Sequence, residues 1–493
     1  MEVGADVLFL AAESEEEGPS RRSWLLPPLL GAGGVGSVAG VGPVRDGEDD
    51  FVRHLVHTLL EVLVIIGSGG GEQGARLLVG GGRGGGGDDV SCTDGVAIKM
   101  RRAEQGRRGV RPDLLAAVAA PATTNAAEHH LVATTIAAAL ASSTAINIMA
   151  ETPPRKPKAP MSRLMRLALR VVDGITDATR RSDGTLNRCA LSLLDPRVPA
   201  FSSPCRGVAS RDLVIDKSRH LRARLFIPET SDCTPSSPLP VIVFFHGGGF
   251  AFLSAASAAY DAVCRRIARY ASAAVLSVDY RRAPEHRCPA AYDDGVAALR
   301  FLDDPKNHHP TSDIPLDASR TFLTGDSAGG NIAHHVARRY AADADSFRHV
   351  RLVGLVAVQP FFGGEERTPS ELRLNGAAPI VNVERVDWMW RAFLPPGADR
   401  THEAADFTCP AAAAGIDSPA FPPVLLAIGG FDPLQDWQRR YGETLRSKGK
   451  DVRVFEYPNA IHAFYVFPVF DDARDLIIRI AEFIAERGGG PSH

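Results

Sequence analysis

The chain has 493 residues, with 55 Lys and Arg against 58 Asp and Glu and a net charge of -3. This near-neutral balance argues against nucleic acid as a main partner, and the length allows one large domain of about 300 residues plus a further segment. The seven cysteines (Cys92, Cys189, Cys205, Cys233, Cys264, Cys288, Cys409) are odd in number and never form C-x-x-C, so no zinc site or disulfide framework is readable and a reducing compartment is expected. The early apolar run Val7-Leu8-Phe9-Leu10-Ala11-Ala12 lacks a basic lead-in, so no signal peptide is read. No uninterrupted apolar stretch reaches the ~20 residues of a membrane span. The expected location is the cytoplasm, with the nucleus as an addition.

Residues 1–148 differ from the rest. They contain Gly80-Gly81-Gly82-Arg83-Gly84-Gly85-Gly86-Gly87, long Ala/Thr runs over 114–145 and very few aromatics, so this segment reads as a low-complexity, largely disordered extension. Two short stretches, 51–66 and 131–141, have helical character. Gly31-Ala32-Gly33-Gly34-Val35-Gly36 matches G-x-G-x-x-G, but Pro27-Pro28 precedes it and more glycine follows, where dinucleotide binding needs a strand and then a helix. His129-His130 has only Glu128 beside it and no metal-ligand spacing. Composition changes abruptly at Met149, which makes 1–148 a dispensable extension in this reading and 149–493 the folded domain.

From residue 161 the pattern becomes globular. Leu164, Leu167, Ala168, Val171, Val172 and Ile175 predict a helix over 161–179. Strands are expected at 210–216, 221–227, 240–245, 273–280, 321–324, 352–358, 424–428 and 452–457. Pro240-Val241-Ile242-Val243-Phe244-Phe245 is continuous and apolar, as in a strand buried on both faces. Helical stretches separate most of these strands, which predicts a mostly parallel sheet covered on both faces, with the site at the carboxyl ends of its strands.

Four motifs fall at those ends. Gly325-Asp326-Ser327-Ala328-Gly329 fits G-x-S-x-G between a strand and a helix, the context of a nucleophile elbow. His246-Gly247-Gly248-Gly249-Phe250 follows the strand ending at Phe245. Its glycines let backbone N–H groups converge, so Gly247, Gly248 and Gly249 are candidate oxyanion donors together with Ala328. Asp432 follows the strand at 424–428, and His462 follows the strand at 452–457. The chain order Ser327, Asp432, His462 suits a triad in which His462 is the general base for Ser327 and Asp432 orients the imidazole. Asp436 is a weaker competitor one turn into the next helix, and His334 and His335 read as packing residues. This chemistry needs no metal or organic cofactor.

Together, His246-Gly247-Gly248-Gly249, Tyr280-Arg281-Arg282-Ala283-Pro284-Glu285-His286 and Gly325-Asp326-Ser327-Ala328-Gly329-Gly330 resemble the hormone-sensitive-lipase-like branch of the α/β-hydrolases, and more narrowly the plant carboxylesterases related to gibberellin receptors. The resemblance covers about residues 160–487. It implies an α/β-hydrolase fold, a helical lid from about 161–200 and 365–420, and hydrolysis of short- to medium-chain carboxylic esters. It places the oxyanion donors mainly on Gly248, Gly249 and Ala328, with His246, Asp326, Glu285 and His286 supporting the site from behind. Arg282 departs from the family's usual Leu. The implied partner is a small-molecule ester, and oligomeric state is left open. The alternative is a non-catalytic, gibberellin-receptor-like binding protein; His462 and the third glycine, Gly249, favour catalysis.

Overall fold

The computed structural model describes residues 157–181, 183–192, 195–229, 238–309 and 315–489. All of these but Pro157 fall in one of the chain's two contact units. The readings made within 1–148 (the glycine tract, His129-His130, both helical stretches and the dispensable extension) lie outside the described residues.

The first helix, α1, is Arg163–Ala178, and the Ser162 side chain caps it by accepting from Met165 N at 3.1 Å. Its buried face is Met165, Ala168 and Leu169, while Leu167, expected on the apolar stripe, is 54% exposed. A short helix, α2 (Arg188–Ser192), leads to β1 (Val208–Asp216) and β2 (Leu221–Pro228). Then come β3 (Leu239–Phe245), α3 (Ala258–Ala271), β4 (Ala274–Asp279), α4 (Ala290–Asp303), β5 (Leu316–Asp326) and α5 (Ala328–Ala342). After β6 (Leu352–Val358), an insertion carries α6 (Pro369–Leu374) and α7 (Val383–Phe393). The chain closes with β7 (Val424–Gly429), α8 (Gln435–Ser447), β8 (Val452–Tyr457) and α9 (Asp471–Arg487).

The strands form one sheet in the order β1-β2-β4-β3-β5-β6-β7-β8. The pairs β1/β2 and β2/β4 are antiparallel and all others parallel. All eight expected strands are present, most within two residues of their expected ends. The exception is β5, which starts five residues before Thr321 because the polar stretch with Asp317 and Arg320 still pairs with β3 and β6 at its ends.

Period-two alternation sorts β3 between two cores. Val241, Val243 and Phe245 join one with Leu299 of α4 and Val336 of α5, whereas Ile242 and Phe244 join the other with Val263 of α3 and Ile480 of α9. The helices therefore cover both faces, and chemistry is left to the loops at the carboxyl edge.

Candidate active site

The loop after β5 turns straight into α5. Ser327 sits in that turn at φ 52° and ψ -120°, a conformation that a non-glycine residue holds only when its surroundings enforce it. A Cβ on Gly329 would come within 1.9 Å of Phe245 O, so only glycine lets α5 start this close to β3. The result lifts Ser327 Oγ out of the sheet beside the first amide of a helix.

The loops after β7 and β8 supply its partners. His462 Nε2 lies 2.9 Å from Ser327 Oγ, and His462 Nδ1 lies 2.8 Å from Asp432 Oδ2. Asp432 is wholly buried, and its carboxylate is held by three further donors. Leu434 N donates to Oδ1 at 2.9 Å, and Gln359 Nε2 and Gln438 Nε2 donate to Oδ2 at 3.1 and 2.8 Å. Burial alone would lower the His462 pKa, but the charge and hydrogen bond of Asp432, with the charge of Asp326, leave it raised above 6.5. The imidazole is thereby made a stronger base, oriented with Nε2 toward the hydroxyl.

The loop after β3 carries the candidate oxyanion donors. No backbone hydrogen bond among the described residues uses the amides of Gly248, Gly249 or Ala328, and the first two line the same cavity as Ser327. Gly247 is a correction: its N–H donates to Tyr260 Oη at 2.8 Å and is not available to a substrate. His246 lies fully buried beneath the loop, its ring stacked on Tyr280 at 4.3 Å, and burial pushes its pKa down to about 4, so it is neutral. Asp326 accepts from Tyr260 Oη at 2.9 Å, and burial raises its carboxyl to about 6.

The other supporting residues divide. Glu285 pairs with Arg188 of α2, which also donates to the carbonyls of Ala251 and Ala283 and so ties α2 to the glycine loop after β3. His286 is a second correction: it is exposed, and only its backbone N–H is engaged, with Arg282 O at 2.9 Å. Arg282 donates to Leu253 O. His334 and His335 are packing residues, the first bonded to Tyr441 Oη at 3.0 Å and the second stacked on Tyr292. Asp436 binds Ser370 N and Oγ at 2.8 and 3.0 Å, away from the imidazole.

Sequence reasoning gave no role to Gln359 or Gln438. Gln359 holds a positive φ of 43°, and besides Asp432 it binds Ile461 O at 3.0 Å and accepts from Ala463 N at 2.8 Å. It thus clamps the loops that present Asp432 and His462. Its signal was positional, as the first residue after an apolar strand.

A cavity of about 800 Å³ opens over Ser327 and His462. Leu169 and Val172 of α1, Val386 and Met389 of α7, and Phe361 and Phe467 form much of its apolar wall. Arg385 of α7 donates to Asp173 Oδ1 and Asp177 Oδ1 of α1 at 2.6 and 2.9 Å, joining the two sequence-distant parts of that wall. No helix among the described residues is long and apolar enough to cross a membrane.

Comparison with known proteins agrees with this fold. Residues 242–466 match a family model described as alpha/beta hydrolase fold. A gibberellin receptor of Arabidopsis thaliana is 41% identical over 315 residues, covering 62% of this chain and 89% of that protein. Carboxylesterase 20 of the same plant is 35% identical over 289 residues, covering 55% of this chain and 83% of that protein. Among solved structures, an esterase from Pyrobaculum calidifontis aligns with a TM-score of 0.51 at 26% identity, covering 66% of this chain and 99% of that one. The chain belongs to the α/β-hydrolases, in the hormone-sensitive-lipase-like plant group that holds carboxylesterases and gibberellin receptors.

Proposed function

We propose that this carboxylic ester hydrolase cleaves short- to medium-chain esters through Ser327, His462 and Asp432 by way of an acyl-enzyme. The reading rests on the unbroken hydrogen bonds from Ser327 Oγ through both ring nitrogens of His462 to a buried Asp432. Ser327 Oγ attacks the ester carbonyl as His462 Nε2 takes its proton. The amides of Gly248, Gly249 and Ala328 receive the oxyanion. The tetrahedral intermediate expels the alkoxide, which takes the proton back from His462. Water, deprotonated by the same imidazole, then releases the acid. Asp432 stabilises the imidazolium.

The mostly apolar wall of the ~800 Å³ cavity suits an uncharged acyl chain of modest length. In this reading α1 and the insertion with α7 are the lid, and residues 149–493 carry the activity. A second reading, a non-catalytic gibberellin-binding protein, is favoured by the 41% identity to a gibberellin receptor. Against it stands the complete His462 linkage.

The test is hydrolysis of 4-nitrophenyl butyrate by the full chain, by residues 149–493, and by the Ser327→Ala and His462→Ala variants. Turnover that falls at least about 10³-fold in both variants supports the esterase. A folded protein without turnover that binds gibberellin-like acids supports the second reading.

A further inference from the structure

Residues 247–249 have no side chains to pin them, so the oxyanion loop must be located through its backbone. Several of its ties are local or point away from the nucleophile: His246 Nδ1 lies 2.8 Å from Gly247 O, and Arg188 binds Ala251 O. Tyr280 Oη donates to His246 O at 2.8 Å, and Ala251 N and Phe252 N donate to Gly248 O at 3.1 and 2.9 Å. One tie runs toward Ser327. Gly247 N donates to Tyr260 Oη at 2.8 Å, and Tyr260 Oη donates to Asp326 Oδ2 at 2.9 Å. Asp326 is joined covalently to Ser327 and lies two residues before Ala328, the other candidate donor.

Tyr260 and Asp326 are 3% and 2% exposed, so water does not compete for these bonds. A Cβ on Gly247 would meet Asp326 Oδ2 at 2.5 Å and Tyr260 Oη at 2.6 Å, so the loop rests directly on the pair. Burial and the neighbouring carboxylate hold the Tyr260 phenol protonated, which fixes it as donor to Asp326 and acceptor from Gly247.

We infer that Tyr260 is a positioning residue: seated on Asp326, its hydroxyl sets the Gly248 and Gly249 amides in register with Ser327 Oγ and the Ala328 amide. Tyr260 reaches the hole from α3, where it borders the cavity, and its hydroxyl is taken up by Gly247 N and Asp326 Oδ2 rather than by a reacting atom. The inference rests on the esterase reading, because the register matters when an oxyanion forms.

The experiment compares the full chain with Tyr260→Phe, Asp326→Ala, Asp326→Asn and the double variant Tyr260→Phe/Asp326→Ala. A slightly misplaced donor pair acts on the transition state, so Tyr260→Phe and Asp326→Ala should each lower kcat about 10- to 100-fold with KM within about twofold. Affinity for a trifluoromethyl ketone, which forms a hemiketal oxyanion in the hole, should fall by a similar factor. Asn keeps an oxygen that accepts from Tyr260, so Asp326→Asn should restore most of the kcat lost in Asp326→Ala, both compared on the alkaline plateau of the pH profile, where the lost charge beside His462 does not enter. The double variant should be no worse than the worse single one, because both break one connection.

Multiplicative losses in the double variant, or lower kcat with unchanged hemiketal affinity, would overturn the inference. Hydrogen exchange of the amides at 247–249 reads the same tie without turnover. Faster exchange in Tyr260→Phe is expected, and unchanged exchange overturns the inference. Absence of turnover in the unaltered chain instead sinks the esterase reading.

Discussion

Met389 of α7 lies directly against Gly249 of the oxyanion loop: a Cβ on Gly249 would come within 2.2 Å of Met389 Sδ. Gly249 also holds a positive φ of 57°, so a side chain there meets both a strained backbone and an occupied space. Gly249→Ala is expected to lose about 1–2 kcal/mol of stability from backbone conformation, and activity falls further because the loop moves to clear the thioether. Met389→Ala removes the obstruction and deepens the wall over Ser327. The ratio of kcat/KM for 4-nitrophenyl hexanoate to that for the acetate should then rise by about tenfold, in line with 1–3 kcal/mol per methylene. An unchanged ratio would mean that the acyl chain does not lie under Met389.

Two carboxylates, Asp432 and Asp326, set the charge of His462. Burial lowers its pKa, Asp432 raises it by charge and hydrogen bond, Asp326 raises it by charge, and the net shift is upward from 6.5. The general base must be neutral, so kcat/KM should rise with pH through a midpoint above 6.5. Asp326→Asn removes one raising charge and should move that midpoint to lower pH. The sign for stability is opposite. A raised folded-state pKa adds stability that is fully present below 6.5 and is lost as pH rises through the folded value. The His462 contribution is therefore larger at pH 6 than at pH 9, and Asp432→Asn should shrink that difference in Tm. The same variant should lower kcat about 10⁴-fold at neutral pH. A midpoint unmoved by Asp326→Asn would show that Asp326 is not charged beside His462.

The proposed triad could be assembled from the sequence because each of its residues follows a continuous apolar strand, and in a sheet buried on both faces such runs locate the carboxyl edge by themselves. Tyr260 and Gln359 were not legible in their roles. Their partners Asp326 and Asp432 lie 66 and 73 residues away, and nothing in a single sequence marks which helix or strand end will meet which loop. Gly247 misled for a related reason. A run of three glycines suggests three free amides, but the first is used by a tyrosine thirteen residues later. Glu285 and His286 came as a pair with one motif, yet the first holds Arg188 and the second faces solvent. Leu167 fits the helical apolar stripe by spacing and is exposed because the burying surface beneath α1 is narrower than the stripe.

Arg385 holds the two parts of the proposed lid together. It is 3% exposed, and besides Asp173 and Asp177 it donates to Ile380 O and to Asp173 O. Burial raises the Asp173 carboxyl despite Arg385 beside it, so removing the arginine leaves an acid whose ionised form is poorly supported. Arg385→Ala should cost about 2–3 kcal/mol, less than for a fully enclosed pair because Asp177 is about a third exposed to water. The loss should be local, with faster hydrogen exchange over 163–178, a raised KM and a smaller change in kcat. An equal loss of exchange protection across the β-sheet would instead make Arg385 part of the global core.

Gln438 tests how far Asp432 depends on its neutral donors. It reaches Asp432 Oδ2 at 2.8 Å from α8, on the same oxygen that faces His462 Nδ1. Its N–H donates to the carboxylate without competing for the imidazole proton, because an amide cannot take one. Gln438→Leu preserves much of the volume but removes the bond, so Asp432 loses about 1–3 kcal/mol of support. Its carboxylate should then draw harder on the imidazole Nδ1–H, and the acid limb of kcat/KM should move upward. The expected result is a fall in kcat/KM at pH 7 of about tenfold, partly recovered at pH 8.5, where a larger share of His462 is neutral. A loss that is the same at both pH values would place the role of Gln438 in packing rather than in the charge of the triad.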